Sequence, residues 1–161
     1  MKHFMQDKTM KTDSRMRLLV LLLLFPVFAL AQKNKPEAPD FTLGSFTDDY
    51  KITYTINDTL WIQHPNTKYH IIKWNPEKQY LVARNDIGNK SDGNKYTRID
   101  YMTFTGMEPY LWGFCLTAYD AETDKIAGET AAADRQNPKK GCNGYPFSRM
   151  KKIELPSQTK N

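Results

Sequence analysis

From Tyr50 to Tyr119, apolar and polar residues alternate with a period of two rather than 3.6. That is the repeat of a strand with one buried face, not of an amphipathic helix. In Tyr50-Lys51-Ile52-Thr53-Tyr54-Thr55-Ile56 the alternation is strict. Asn57-Asp58, two residues that tolerate positive φ, turn the chain into Thr59-Leu60-Trp61-Ile62-Gln63, which predicts a hairpin. His64-Pro65-Asn66-Thr67 breaks the chain before a strand at residues 69–74, and Asn75-Pro76-Glu77-Lys78 turns it into another at 79–84. A polar loop, residues 85–95, leads to strands at 96–104 and 110–119, separated by Gly106-Met107-Glu108-Pro109. Six strands are predicted in this way, and residues 145–153 are a candidate for a last one. Residues 120–135, rich in Ala and Glu and without proline, predict one short helix that Asp120 could cap. Short connections favour antiparallel neighbours, and a meander with two free edges removes them by closing. The pattern therefore predicts an all-β domain: an antiparallel up-and-down meander closing into a small barrel, with one short late helix.

The polar ends of the chain frame this domain. Leu18 to Ala31 (LLVLLLLFPVFALA) is uncharged, follows Arg15 and Arg17, and ends in Ala29-Leu30-Ala31. A basic stretch, a short apolar run and an A-x-A site predict a secretory signal peptide over residues 1–31. Fourteen residues as a helix span only about 21 Å, against the roughly 30 Å of a bilayer core, so a retained anchor is disfavoured. Residues 32–40 read as a flexible lead-in, 41–153 as a single β-barrel domain and 154–161 as a frayed tail. The expected compartment is periplasmic or extracellular. In an exported chain the two cysteines, Cys115 and Cys142, read as a structural disulfide. With no CxxC and two histidines after the leader, they make a poor zinc site.

This outline resembles the lipocalin-like (calycin-type) small secreted barrels: a signal peptide, an antiparallel meander, a late helix and a disulfide tacking the tail to the barrel. Gly44-Ser45-Phe46 approximates the family's opening G-x-W, and Thr47-Asp48-Asp49-Tyr50 its T-D-Y element, here near the start of the domain rather than mid-chain. Arg149 is similar in position to the family's late arginine. The resemblance implies a small, mainly apolar ligand held inside the barrel; separately, no cofactor is expected.

Charge changes little. The formal net charge is +5, but residues 1–31 carry five Lys/Arg against two Asp, and the remaining 130 residues carry 18 basic against 16 acidic side chains, net +2. A nucleic-acid surface is not indicated. Aromatic content changes more: 17 of those 130 residues are Phe, Tyr or Trp. Trp61, Trp74, Trp112, Tyr80 and Tyr96 fall in strands, as core filling or as the lining of a ligand pocket. Arg98 and Asp100 share one face of their strand with Tyr96, Met102 and Phe104. If that face is inward, the pair is a buried polar anchor that Arg84 could join, gripping a ligand's polar end. If Thr97, Ile99, Tyr101 and Thr103 are inward instead, the pair is solvated. Three functions follow. The first is an exported binder of an amphiphilic or aromatic small molecule. The second is a non-enzymatic structural or protein-interaction module with a filled barrel. The third is a small cavity-based enzyme built on Arg98, Asp100 and His70, although no nucleophile motif or metal-ligand spacing singles out catalytic or metal residues.

Overall fold

The computed structural model describes residues 37–153; the expected signal peptide, most of the lead-in and the tail lie outside the described residues. Among the described residues, eight strands form a closed antiparallel barrel: β1 (Gly44–Asp48), β2 (Thr53–Ile56), β3 (Leu60–Gln63), β4 (Thr67–Asn75), β5 (Tyr80–Asn85), β6 (Tyr96–Thr103), β7 (Tyr110–Ala121) and β8 (Ser148–Lys152). Each strand pairs with its sequence neighbour, and β1 pairs with β8 to close the ladder. The closed eight-stranded antiparallel barrel matches the expected meander and is consistent with a calycin-like architecture.

Two elements differ from expectation. β1 was not anticipated, because Gly44-Ser45-Phe46-Thr47-Asp48 offers only Phe46 to an apolar pattern. The residues expected to begin the first strand, Tyr50 and Lys51, form a turn instead, with Lys51 at φ 66°. Asp48 makes that turn: its carboxylate accepts the backbone N–H groups of Tyr50 and Ile52 and the Tyr54 hydroxyl. The helix, α1 (Asp124–Glu129), is shorter than the stretch allotted to it. Asp120 and Ala121 still belong to β7, and Thr123 is the cap, accepting the Ile126 N–H through its hydroxyl.

Side chains on the barrel's inner face form one core that includes Phe46, Tyr54, Trp61, Trp74, Ile99, Tyr101, Trp112, Phe114 and Met150. On β6 the inward positions are therefore Thr97, Ile99 and Tyr101, and the expectation that Arg98 and Asp100 face the interior is overturned. They are not solvated either. α1 and the segment after it cover the outer wall of β5, β6 and β7, burying Tyr80, Val82, Ala121 and Ala127 in one cluster and Cys115, Ala133 and Phe147 in another. β5 and β6 are buried on both faces, so apolar residues at Tyr96, Met102 and Phe104 mark the outer layer rather than the barrel's inside.

Candidate functional site

Antiparallel order gives the barrel two rims. β1, β3, β5 and β7 begin at one, here the Gly44 rim, where β2, β4, β6 and β8 end. A three-residue 3-10 turn, Asp40–Thr42, lies at this rim, and Ala38 joins the inner core from the same segment. From the turn, Phe41 rests edge-on against Tyr101 and Trp112, each at 6.0 Å between ring centroids. Trp112 in turn meets Phe46 (5.2 Å) and Trp61 (6.0 Å), and Tyr101 meets Trp74 (6.1 Å). Deeper in, Trp61 and Tyr54 both contact Phe114, at 5.0 and 5.5 Å. Every one of these pairs is edge-to-face, the arrangement the ring quadrupoles favour. The interior of an eight-stranded barrel is just wide enough to be filled by side chains, and this one is filled by rings.

Polar groups in that interior are mostly met. The Trp74 indole N–H donates to the Asp58 carbonyl (2.8 Å) and the Tyr54 hydroxyl to Asp48 (2.9 Å). At the opposite rim Asn85 donates to the Asp92 and Tyr119 carbonyls and accepts from the Thr97 hydroxyl, folding the 86–95 loop across the barrel end. Two buried side-chain atoms among the described residues have no partner: the Tyr101 hydroxyl and the Trp112 indole nitrogen. A buried donor left unmet costs about 1–3 kcal/mol. Both belong to rings that touch Phe41. Burial also raises the Tyr101 pKa to about 12, with Asp100 adding to the rise and Arg135 opposing it, so the phenol remains a proton donor at neutral pH. Tyr54 and Tyr69 are raised as well, chiefly by burial.

Outside the wall lies a second, ionic arrangement. Asp100, fully buried, accepts from Arg98 Nε (2.8 Å) and Nη2 (3.0 Å), from Arg135 Nη2 (2.8 Å) and from the Thr117 hydroxyl (2.6 Å). Arg98 Nη1 donates to the Gly128 and Thr130 carbonyls at the end of α1, and its guanidinium stacks 4.0 Å over the Tyr80 ring. Arg135 Nε reaches the Tyr101 carbonyl, and its Nη2 the Gln79 carbonyl. Carboxylate and guanidinium are thus committed to fastening the outer layer to the barrel wall.

The residues singled out in the sequence are split by that wall. Trp61, Trp74 and Trp112 come together inside it. Arg98, Asp100, Tyr80 and Tyr96 come together outside. Arg84 is exposed and donates to Asn94 (3.1 Å). A ligand bound inside the barrel cannot have its polar end on Arg98 or Arg84, because the sheet stands between them. The Arg98–Asp100–His70 centre does not assemble: His70 faces Arg84 and Asp100 faces Tyr80 on the intervening strand, about 13 Å apart along it. His70 instead pairs with Asp86 (2.7 Å), a bond that lowers the Asp86 pKa. Arg149 pairs with Asp49 at 2.8 Å and lies over Tyr110. No family model, curated protein or solved structure matches this chain.

Clefts in the surface lie on the outer side. One of about 320 Å³ runs between α1 and β4–β5, edged by Lys73, Lys78 and Lys125. Another, of about 330 Å³ and mostly apolar, is lined by Phe104, Met107, Pro146 and Phe147. The disulfide joins Cys115 on β7 to Cys142, in a small hairpin whose Tyr145 is 72% exposed. Phe41, Arg135 and Thr117 were not legible as site residues. Phe41 stands outside any periodic segment, and the partners of Asp100 come from 17 and 35 residues downstream.

Proposed function

We propose that this chain is an exported, non-enzymatic small-molecule-binding protein that holds a ring-bearing ligand against the aromatic lining of its barrel. The observation that carries this reading is the edge-to-face array at the Gly44 rim, where Tyr101 and Trp112, backed by Trp74 and Phe46, meet one ring supplied by a short turn rather than by the wall. The binding residues are then Trp61, Trp74 and Trp112, and the Arg98–Asp100 pair supports the barrel from outside. Commitment of Asp100 to four hydrogen bonds, and its distance from His70, weigh against the cavity-based enzyme built on Arg98, Asp100 and His70. Export is supported by the Cys115–Cys142 disulfide, which suits an oxidising compartment. Among the described residues, no helix is long and apolar enough to cross a membrane.

Filling of the interior by its own rings favours a second reading, an interaction module whose partner meets the outer surface at the disulfide-held Tyr145 hairpin. Native mass spectrometry on protein purified gently from the exported fraction separates the two. Added mass that is lost on denaturation is expected for the binder. A bare mass, with no uptake of a hydrophobic dye, would transfer the assignment to the interaction module.

A further inference from the structure

We propose that Phe41 occupies the seat of the ligand, and that the seat takes an uncharged, ring-bearing molecule with a carbonyl-type oxygen, which the Tyr101 hydroxyl and the Trp112 indole N–H hydrogen-bond. This rests on the small-molecule reading and specifies its site and its chemistry.

Three observations converge on the one position. Phe41 is 38% exposed, whereas the rings it touches, Tyr101 and Trp112, are each 1% exposed, so it alone of the three can be reached from solvent. Its turn is held by bonds within itself: the Thr42 N–H and hydroxyl both donate to the Pro39 carbonyl, and the Leu43 N–H donates to the Asp40 carbonyl. Moving the Phe41 ring outward therefore breaks no ladder of the barrel. The two unpartnered buried donors, finally, are on the two rings that Phe41 covers, while Trp74 and Tyr54 nearby have protein acceptors. The Phe41 phenyl fills the space against both side chains but offers their donors no oxygen. A molecule of similar shape carrying an acceptor would both fill it and pair them.

The charge of the ligand follows from the lining. Among the described residues, the buried polar and charged side chains are Thr42, Asp48, Asn85, Thr97, Arg98, Asp100 and Thr117; Arg98 is the one base in that set, and its guanidinium, like that of the less buried Arg135, lies on the far side of the wall. A carboxylate placed at Tyr101 and Trp112 would be a buried charge without a counter-ion. A neutral acceptor avoids that penalty.

The test uses a matched pair of probes, acetophenone and ethylbenzene, alike in shape and differing in the acceptor. Each is titrated into 15N-labelled protein, with the three tryptophan indole N–H signals assigned by single Trp→Phe variants. In Phe41→Ala the expected result is a downfield move of the Trp112 N–H signal with acetophenone, and at least tenfold tighter binding than in the unsubstituted protein. Ethylbenzene is expected to bind more weakly than acetophenone and to leave that signal without a downfield move. Tyr101→Phe, which removes only an unpartnered hydroxyl, keeps Phe41 in place should the alanine variant fail to fold. It is expected to weaken acetophenone and leave ethylbenzene unchanged. Equal affinity for the two probes in both variants, or shifts confined to the Phe104–Phe147 cleft, would overturn the Phe41 site. A carried ligand seen by native mass spectrometry together with an unmoved Trp112 signal would do the same while leaving the barrel reading standing. No bound mass and no shift in any variant would overturn both.

Discussion

Asp100 is the side chain on which most of the outer layer depends, because three residues from three different parts of the chain converge on its two oxygens. Removing a buried carboxylate leaves Arg98 and Arg135 facing each other without their shared counter-ion. Asp100→Ala is expected to destabilise the fold by about 3–5 kcal/mol, measured by urea unfolding. A loss below about 0.5 kcal/mol would mean that the network contributes nothing. The buried phenols make a second expectation at this scale. Below pH 10 both folded and unfolded chains keep them protonated. Above it the unfolded chain releases protons that the folded chain retains, so stability falls as pH rises through 10 and toward 12, the range set by Tyr101. Tyr54 extends the loss to higher pH, its rise being due first to burial and then to Asp48. A 295 nm titration of the folded protein should show Tyr54, Tyr69 and Tyr101 ionising late, with unfolding curves worsening over the same range.

Elements show where sequence patterning was informative and where it was not. Period-two alternation located β2 through β7, because their inward residues are large and apolar. β1 escaped because Phe46 is its only strong core residue; Asp48, also inward, looks like a surface residue until its bonds to Tyr54 and the turn are seen. Parity misled at Arg98 and Asp100 for a related reason. It assumes one buried face, and β6 has two. Cys115 and Cys142 pair as expected, since two cysteines in a chain expected to be exported leave few alternatives. Contacts such as Arg135 to Asp100, or Phe41 to Tyr101, join positions that no local spacing relates. The outer layer also sets a packing test. Gly113 on β7 has the Phe104 ring folded across it, and an added Cβ would lie 2.8 Å from Phe104 Cζ and from the Ser148 carbonyl. Gly113→Ala should therefore cost about 1–3 kcal/mol, read from thermal or urea unfolding.

At the scale of the molecule, the disulfide joins the outer layer to the barrel across a separation of 27 residues. On the chain-entropy account such a loop stabilises by roughly 3–4 kcal/mol, so reduction should lower Tm by about 10 °C in calorimetry. An unchanged Tm would assign the hold on this layer to Asp100 and its arginines alone. Closure through β1 and β8 has a consequence of another kind. The Ile153 N–H donates to the Ser45 carbonyl, so the described chain leaves the barrel at the rim from which it entered. The hydrogen-bonded cycle of strands has no first member, and the order in which the gene writes them is one of several that describe the same object. A circular permutant opened at Gly106, an exposed turn glycine with open space around it, and rejoined from Ile153 to Ala38 by about eight flexible residues, reaching roughly 16 Å, should fold to the same barrel.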